Sequence, residues 1–168
     1  MSTTLESAIL ESWERQTRIF GNLVGRIDAS NAQLKPSEDG WPIVGHLCHL
    51  YTCRAEWLSK VSPEHAIPWD AVWQKVDGAW QTIEDLDEVK RLLALSGEAV
   101  GTAVRTKLEE GAERVAPYDH PIFFLQHMVW HDGYHFGLIM LALRLGGQEP
   151  PEEWEERNVW GVWRDPEI

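Results

Sequence analysis

The sequence predicts an all-α protein, a four-helix bundle with a long irregular connection between its second and third helices. Four long segments carry apolar residues at intervals of three and four, which is the spacing of one helical face. No segment alternates convincingly between apolar and polar residues, the period of a half-buried strand, so a sheet is not expected. With 168 residues, the chain has the length of one domain with a sizeable core.

Turn signals bound the first two predicted helices. The first helix covers about residues 4–27, and the polar stretch that follows it contains Pro36 and Gly40. The second helix begins at Trp41-Pro42, because the N–H that proline lacks is not needed in a first turn. It is expected to end near Lys60.

The second half of the chain begins with the irregular connection. Residues 62–82 contain two prolines, a glycine and three tryptophans, which predicts loop structure with one short helix at about Trp69–Lys75. A connection of this length lets the chain cross the bundle. The third helix is expected at about Ile83–Glu109 and the fourth at Pro121–Leu145, where Gly146-Gly147 ends it.

The composition divides the chain into two parts. Residues 1–147 are expected to form the bundle, and residues 148–168 to form an acidic C-terminal tail. The tail holds seven acidic residues and two arginines, together with three of the ten tryptophans. Because solvated tails are poor in aromatic residues, we expect this one to pack on its own bundle or on a partner subunit.

Charge and cysteine content exclude several classes of protein. A net charge of −12 argues against binding to nucleic acid or to a membrane surface, since both need clustered cations. The chain has no apolar run long enough to span a bilayer, and residues 1–6 lack the pattern of a signal peptide. Cys48 and Cys53 point about 140° apart on a helix, so they are expected to be free thiols, as is usual in the cytoplasm.

The histidines are the main candidates for functional residues in this sequence. Five of the seven lie in two predicted helices: His46 and His49 on the second, and His127, His131 and His135 on the fourth. Members of the second set are four residues apart, so they lie on one helical face, and two such imidazoles can bind one metal ion. One histidine from the second helix and two from the fourth would leave coordination positions open, as catalytic metal sites do.

From the residues alone, several alternatives stay open. His46 and His127 are alternative ligands, hydrogen-bonding partners of a ligand, or packed core residues without a metal. Cys53 is either a soft ligand or a buried thiol. Glu56 either orients a ligand imidazole or is solvated. A zincin-type protease is not expected, because Asp132 stands where that motif needs Glu.

Two segments resemble the motifs of the DinB/YfiT-like superfamily. The first is Val44–Leu50 followed by Glu56–Leu58, and the second is His131–Gly137 followed by Leu143–Gly146. The resemblance covers most of residues 4–147 and implies a four-helix bundle. It also implies a metal bound by three histidines, which are His49, His131 and His135.

The resemblance further implies what the site does. The superfamily includes metal-dependent transferases of the low-molecular-weight thiols bacillithiol, mycothiol and glutathione. We therefore expect a divalent ion (Zn, Ni or Fe), a thiol co-substrate, a small-molecule substrate and a homodimer. Candidate catalytic residues are Glu56, Asp132 and Tyr134. Leu138 stands at a position where members of the superfamily frequently have a polar residue.

Two other functions are compatible with the same three histidines. A metal-bound water with a lowered pKa would make the protein a hydrolase. A closed apolar pocket built from the many tryptophans would suit a stress protein that binds a metal or another ligand without catalysis.

Overall fold

Four long helices make up most of the chain, as the computed structural model of residues 4–164 shows, and the predicted all-α class is confirmed. Residues 1–3 and 165–168, at the ends of the predicted bundle and tail, lie outside the described residues. The helices are α1 (Leu5–Val24), α2 (Ile43–Val61), α3 (Leu86–Glu109), α4 (Pro121–Leu145) and α5 (Glu152–Asn158). The other elements of the described residues are a hairpin of β1 (Trp73–Val76) and β2 (Ala79–Thr82) and two short 3-10 turns (Pro63–His65, Trp160–Trp163).

Side-chain caps fix the start of three of these helices. Thr4, Asp85 and His120 each accept a hydrogen bond from a backbone amide in the first turn of α1, α3 and α4 respectively. Each cap satisfies one of the amides that a helix leaves without an internal partner. Pro121, the first residue of α4, needs no such partner.

The prediction for the connection between α2 and α3 is wrong in one part. Residues 69–75 contain no helix, and β1 pairs with β2 in an antiparallel sheet, with Trp73 opposite Thr82. The strands are joined by Asp77 and Gly78, whose φ angles of 50° and 83° are both positive. Positive φ at both residues is typical of the tight turn that Asp-Gly favours, and this signal was overlooked in the sequence.

Two predicted helix ends are displaced by three residues. α1 ends at Val24 instead of Ile27, and α3 begins at Leu86 instead of Ile83. Ile27 is fully buried in the turn after α1, and Ile83 donates its amide to Val72, which extends the hairpin. Burial in a turn and burial in a helix give the same apolar pattern, so periodicity alone could not separate them.

The C-terminal tail contacts α1 of its own bundle. Arg15 Nη1 donates a hydrogen bond to the backbone oxygen of Val162 at 2.9 Å, and Asn22 Nδ2 donates to that of Asn158 at 2.9 Å. Val159 between them is buried. Within the described residues, the tail therefore forms α5 and a short turn against the bundle.

A buried ion pair connects the helices at the centre of the bundle. Nη2 of Arg54 on α2 lies 2.6 Å from Oδ2 of Asp132 on α4, and both side chains are at most 2% exposed. Arg54 also donates to the backbone oxygen of Leu93 and to Ser96 Oγ on α3, and its guanidinium lies over the ring of Trp13 on α1. Arg54 thus contacts all three of the other long helices, and it fixes α2 relative to α4.

Helix α4 is apolar on more than one face. Its inner face is buried, and its outer face carries exposed aromatic and aliphatic side chains. Apolar residues on all sides are typical of a helix that is packed on all sides. Among the helices of residues 4–164, none is at once long enough and apolar enough to pass through a bilayer.

Candidate metal centre

Three histidines from two helices converge on one point. His49 of α2 and His131 and His135 of α4 offer ring nitrogens that all lie within 4.8 Å of one another. The Nε2 atoms of His49 and His131 are 3.1 Å apart. The His135 ring lies 4.7 Å from the His131 ring and 4.9 Å from the His49 ring, measured between centroids. The structure thus brings together the three residues that the resemblance implied.

The local structure explains this convergence. His131 and His135 are one turn apart on α4, so their side chains project from the same face. The neighbouring residue Asp132 points into the core, where the ion pair with Arg54 aligns α4 with α2. This alignment places His49, on the facing side of α2, opposite the pair.

His46 is the hydrogen-bonding partner of the most buried of the three histidines. The Nδ1 atoms of His46 and His135 are 2.9 Å apart, which leaves Nε2 of His135 for the cluster. A metal-binding imidazole carries its proton on the nitrogen that does not bind the ion, so with an ion on its Nε2, His135 would donate from Nδ1 and His46 Nδ1 would accept. His46 Nε2 is buried without a partner among the described residues.

All four imidazoles are neutral at pH 7. Burial, together with a smaller effect of neighbouring imidazoles, lowers the pKa of His131 to about 4 and that of His135 to about 3. Burial also lowers the pKa values of His46 and His49. Neutral rings keep the lone pairs that a metal ion requires.

This donor set fits a divalent transition metal. Two nitrogens at about 2.0–2.1 Å from a tetrahedral ion are expected to be about 3.3 Å apart, close to the 3.1 Å between His49 and His131. Imidazole suits zinc, nickel and iron, and three protein ligands leave at least one position open. The three-histidine group could therefore bind an ion and a further molecule together.

A cavity of about 570 Å³ opens in front of the histidines. The loop before α2 forms one wall, where the Trp41 ring lies 5.1 Å from the ring of His49. Tyr134 and Leu138 of α4 form another wall. Asp39 is the single charged side chain among the described residues that line this cavity, apart from the neutral histidines. The cavity therefore combines an aromatic wall with little charge of its own.

The three candidate catalytic residues have different environments. Tyr134 lines the cavity and is exposed. Asp132 is buried in the ion pair with Arg54, and burial raises the pKa of its carboxyl. Glu56 is exposed on α2 and is not among the residues that line the cavity. Only Tyr134 of the three is thus placed to contact a molecule in the cavity.

The three alternative ligands differ in their position relative to the cavity. Cys53 is half-buried, and burial raises the pKa of its thiol to about 11. His127 Nδ1 is 2.6 Å from the hydroxyl of Tyr118, and its ring lies 6.5 Å from that of His131. Neither residue lines the cavity, whereas His46 does.

Sequence reasoning missed two contributors to the site. The loop before Trp41 forms a cavity wall through Pro36, Ser37, Asp39 and Gly40, although its polar sequence predicted only a connection. Arg54 aligns the helices, and a signal for it was available: it occupies the apolar face of α2 that Leu47 and Leu58 define. A charged residue in such a position predicts a buried partner.

Comparison with known proteins places the chain in a family. A family model described as the DinB family matches residues 1–161. The chain belongs to the DinB family. No curated protein and no solved structure gives a significant match to it. In this DinB protein, the family match and the convergence of His49, His131 and His135 together allow metal binding.

Proposed function

We propose that this DinB protein binds zinc, nickel or iron through His49, His131 and His135 and transfers a low-molecular-weight thiol to a small electrophilic substrate. The observation that carries this proposal is the convergence of three neutral imidazoles beside a cavity of about 570 Å³. A cavity of this size suits small molecules.

The protonation state of the two cysteines indicates that the reacting thiol belongs to a co-substrate and not to the chain. Burial raises the pKa of Cys48 to about 12 and that of Cys53 to about 11, so both stay protonated at neutral pH. The thiolate is the nucleophilic form of sulfur. Because neither of the chain's two cysteines provides a thiolate, a co-substrate must provide it.

The residues around the cavity have distinct roles in this proposal. A bound divalent ion supplies positive charge that lowers the pKa of a coordinated thiol. Neutral histidines leave that charge uncompensated, whereas carboxylate ligands would reduce it. The Tyr134 hydroxyl can hydrogen-bond to a substrate in the cavity, and the Trp41 ring offers an aromatic face.

A panel of thiols tests the proposal. Metal-loaded protein is incubated with a bimane electrophile and one thiol at a time, either bacillithiol, mycothiol or glutathione. The formation of the thiol–bimane conjugate is measured. We expect metal-dependent conjugation with at least one thiol, and a loss of about 100-fold or more in His131→Gln. His127→Gln is the matched control, because His127 lies one turn away on α4 and outside the cavity, and it should keep its activity.

Two results would contradict the proposal. The first is equal metal content in His131→Gln and the unmodified protein after removal of loosely bound ions. The second is metal-dependent turnover that needs no thiol, which would identify a hydrolase at the same site.

We also propose a cytoplasmic location. Both cysteines are free in the structure, and low-molecular-weight thiols stay reduced in that compartment.

A further inference from the structure

One wall of the cavity is a loop that is closed at its base by a hydrogen bond. We call residues 35–42 the wall loop, and its members that line the cavity are Pro36, Ser37, Asp39, Gly40 and Trp41. Just outside the loop, the amide of Ile43 donates to the backbone oxygen of Leu34 at 3.0 Å. Within it, the amide of Gly40 donates to the oxygen of Ser37 at 3.1 Å. The position of the wall loop therefore depends on where Leu34 is held.

The end of α4 holds the side chain of Leu34. A Cβ atom added at Gly146 would lie 3.1 Å from Cγ and 2.8 Å from Cδ2 of Leu34, and closer still to Cδ1. Carbon atoms in contact are normally about 3.5–4.0 Å apart. Leu34 thus fills the space that the side chain of any other residue at position 146 would need.

The two glycines that end α4 have different reasons. Gly147 has a φ of 69°, and the amide of Gln148 donates to the oxygen of Leu143 at 2.8 Å, which is the helix end that favours glycine. Gly146 has a φ of −81° and a ψ of 3°, a conformation that residues with a side chain also adopt. The backbone therefore does not require glycine at 146, whereas the packing of Leu34 does.

A second contact attaches the same stretch of chain to the end of α4. Asn31 is buried, and its Nδ2 donates to the backbone oxygen of Arg26 at 3.0 Å and to Oε1 of Gln148 at 3.2 Å. The amide of Leu34 donates to the oxygen of Asn31 at 2.9 Å. The base of the wall loop is thus fixed to the helix that carries two of the three histidines.

We propose that Leu34 and Gly146 are positioning residues. Together they hold the wall loop in front of the histidines, so that loss of their contact loosens the loop and weakens the binding of a molecule in the cavity. Neither residue lines the cavity, so the metal ligands stay in place. The effect on binding rests on the proposed function, whereas the effect on the loop does not. Gly146, the last residue of the second motif, thereby acquires a role.

Hydrogen exchange of single amides tests the effect on the loop. In Gly146→Ala the new methyl group displaces Leu34, so the amides of Gly40 and Ile43 should exchange about 10-fold faster or more, with and without zinc. Amides in the middle of α1 and α2 should exchange as in the unmodified protein. Gly21→Ala is the matched control, because a Cβ atom there meets nothing within 4 Å.

A double-mutant cycle tests whether the effect passes through Leu34. Leu34→Ala removes the atoms that a side chain at 146 would meet and leaves the contact empty, so this variant should also show faster exchange in the wall loop. In that background, Gly146→Ala should change the exchange by less than about twofold, because residues in contact are not additive. A different role for Gly146 predicts the same factor in both backgrounds.

Kinetics test the effect on binding. With a thiol that the panel finds active, Gly146→Ala should raise KM about fivefold or more, and it should leave kcat and the affinity for zinc within about twofold. Such a split separates a displaced wall from a damaged metal centre. If no thiol reacts, the proposed function is wrong, and the exchange rates alone decide whether Leu34 and Gly146 hold the loop.

Three outcomes would overturn the proposal. The first is unchanged exchange of the wall loop in Gly146→Ala. The second is an equal effect of Gly146→Ala with and without the Leu34 side chain. The third is a loss of zinc affinity in Gly146→Ala as large as that in His131→Gln, which would place the damage at the histidines.

Discussion

His135 shows how one residue depends on another at this site. It is 5% exposed, and its Nδ1 is held by His46, which itself lines the cavity. A hydrogen bond of this kind fixes the orientation and the protonated nitrogen of a metal-binding imidazole. His46 is therefore a positioning residue for the proposed metal.

Removal of the His46 side chain should weaken metal binding without removing a ligand. We expect His46→Ala to lower the affinity for zinc about 10- to 100-fold, because His135 loses its hydrogen-bond acceptor. Competition with a chromophoric chelator measures this affinity. His127→Ala, which changes a histidine outside the cavity, should bind zinc like the unmodified protein, and equal weakening in both variants would contradict the role of His46.

The lowered pKa values predict a pH dependence of the metal-free protein. Below the ordinary pKa of 6.5, the unfolded chain takes up protons at His131 and His135. The folded chain does so only near pH 4 for His131 and pH 3 for His135. The unfolded state thus binds more protons in this window, so stability is fully present above pH 6.5 and decreases as the pH falls.

Urea unfolding between pH 7 and pH 4.5 measures this effect. We expect the free energy of unfolding to fall by about 1–2 kcal/mol for each of the two histidines at pH 5. In His131→Gln the decrease should be smaller, since glutamine does not titrate. An identical pH dependence in the variant and the unmodified protein would show that His131 does not carry the lowered pKa.

At the scale of elements, the Arg54–Asp132 pair determines how α2 and α4 face each other. Asp132→Asn leaves Arg54 buried without its counter-charge, which should destabilise the fold by about 3–5 kcal/mol. Replacement of both residues, in Arg54→Met with Asp132→Leu, should cost less than either single change. Chemical unfolding measures all three, and Arg91→Met, which removes the exposed pair with Glu88, serves as the control with little effect.

Long helices could be predicted from the sequence, and short elements could not. Over some 20 residues, as in α1 and α4, the apolar period repeats often enough to identify a helix. The hairpin has four residues in each strand and an exposed surface, so no alternation was visible. Its one local signal was the Asp77-Gly78 turn.

Only part of the candidate metal site could be predicted from the sequence. Histidines four apart on α4 share a face whatever the tertiary structure, so spacing alone predicts that neighbouring members of His127, His131 and His135 can bind one ion, and the choice of His131 and His135 required the family resemblance. The contribution of His49, and not His46, required the family resemblance, because both fit the facing helix. The role of Trp41 depends on how a loop folds over α2, which no periodicity encodes.

For the whole molecule, the net charge of −12 makes acidic side chains repel one another across the folded surface, and added salt screens that repulsion. We therefore expect the free energy of unfolding to rise as the NaCl concentration increases from 20 mM to 300 mM. Urea unfolding measures this change, and a free energy of unfolding that falls as salt is added would show that surface ion pairs outweigh the repulsion.

The attachment of the tail to α1 has a consequence for sequence change in the family. Arg15 and Asn22 donate to main-chain oxygens, which every amino acid possesses. Substitutions at Val162 or Asn158 keep both acceptors, whereas the loss of either donor on α1 removes a hydrogen bond. At positions 158 and 162 the tail can therefore change its side chains and keep these two hydrogen bonds, as long as α1 keeps Arg15 and Asn22.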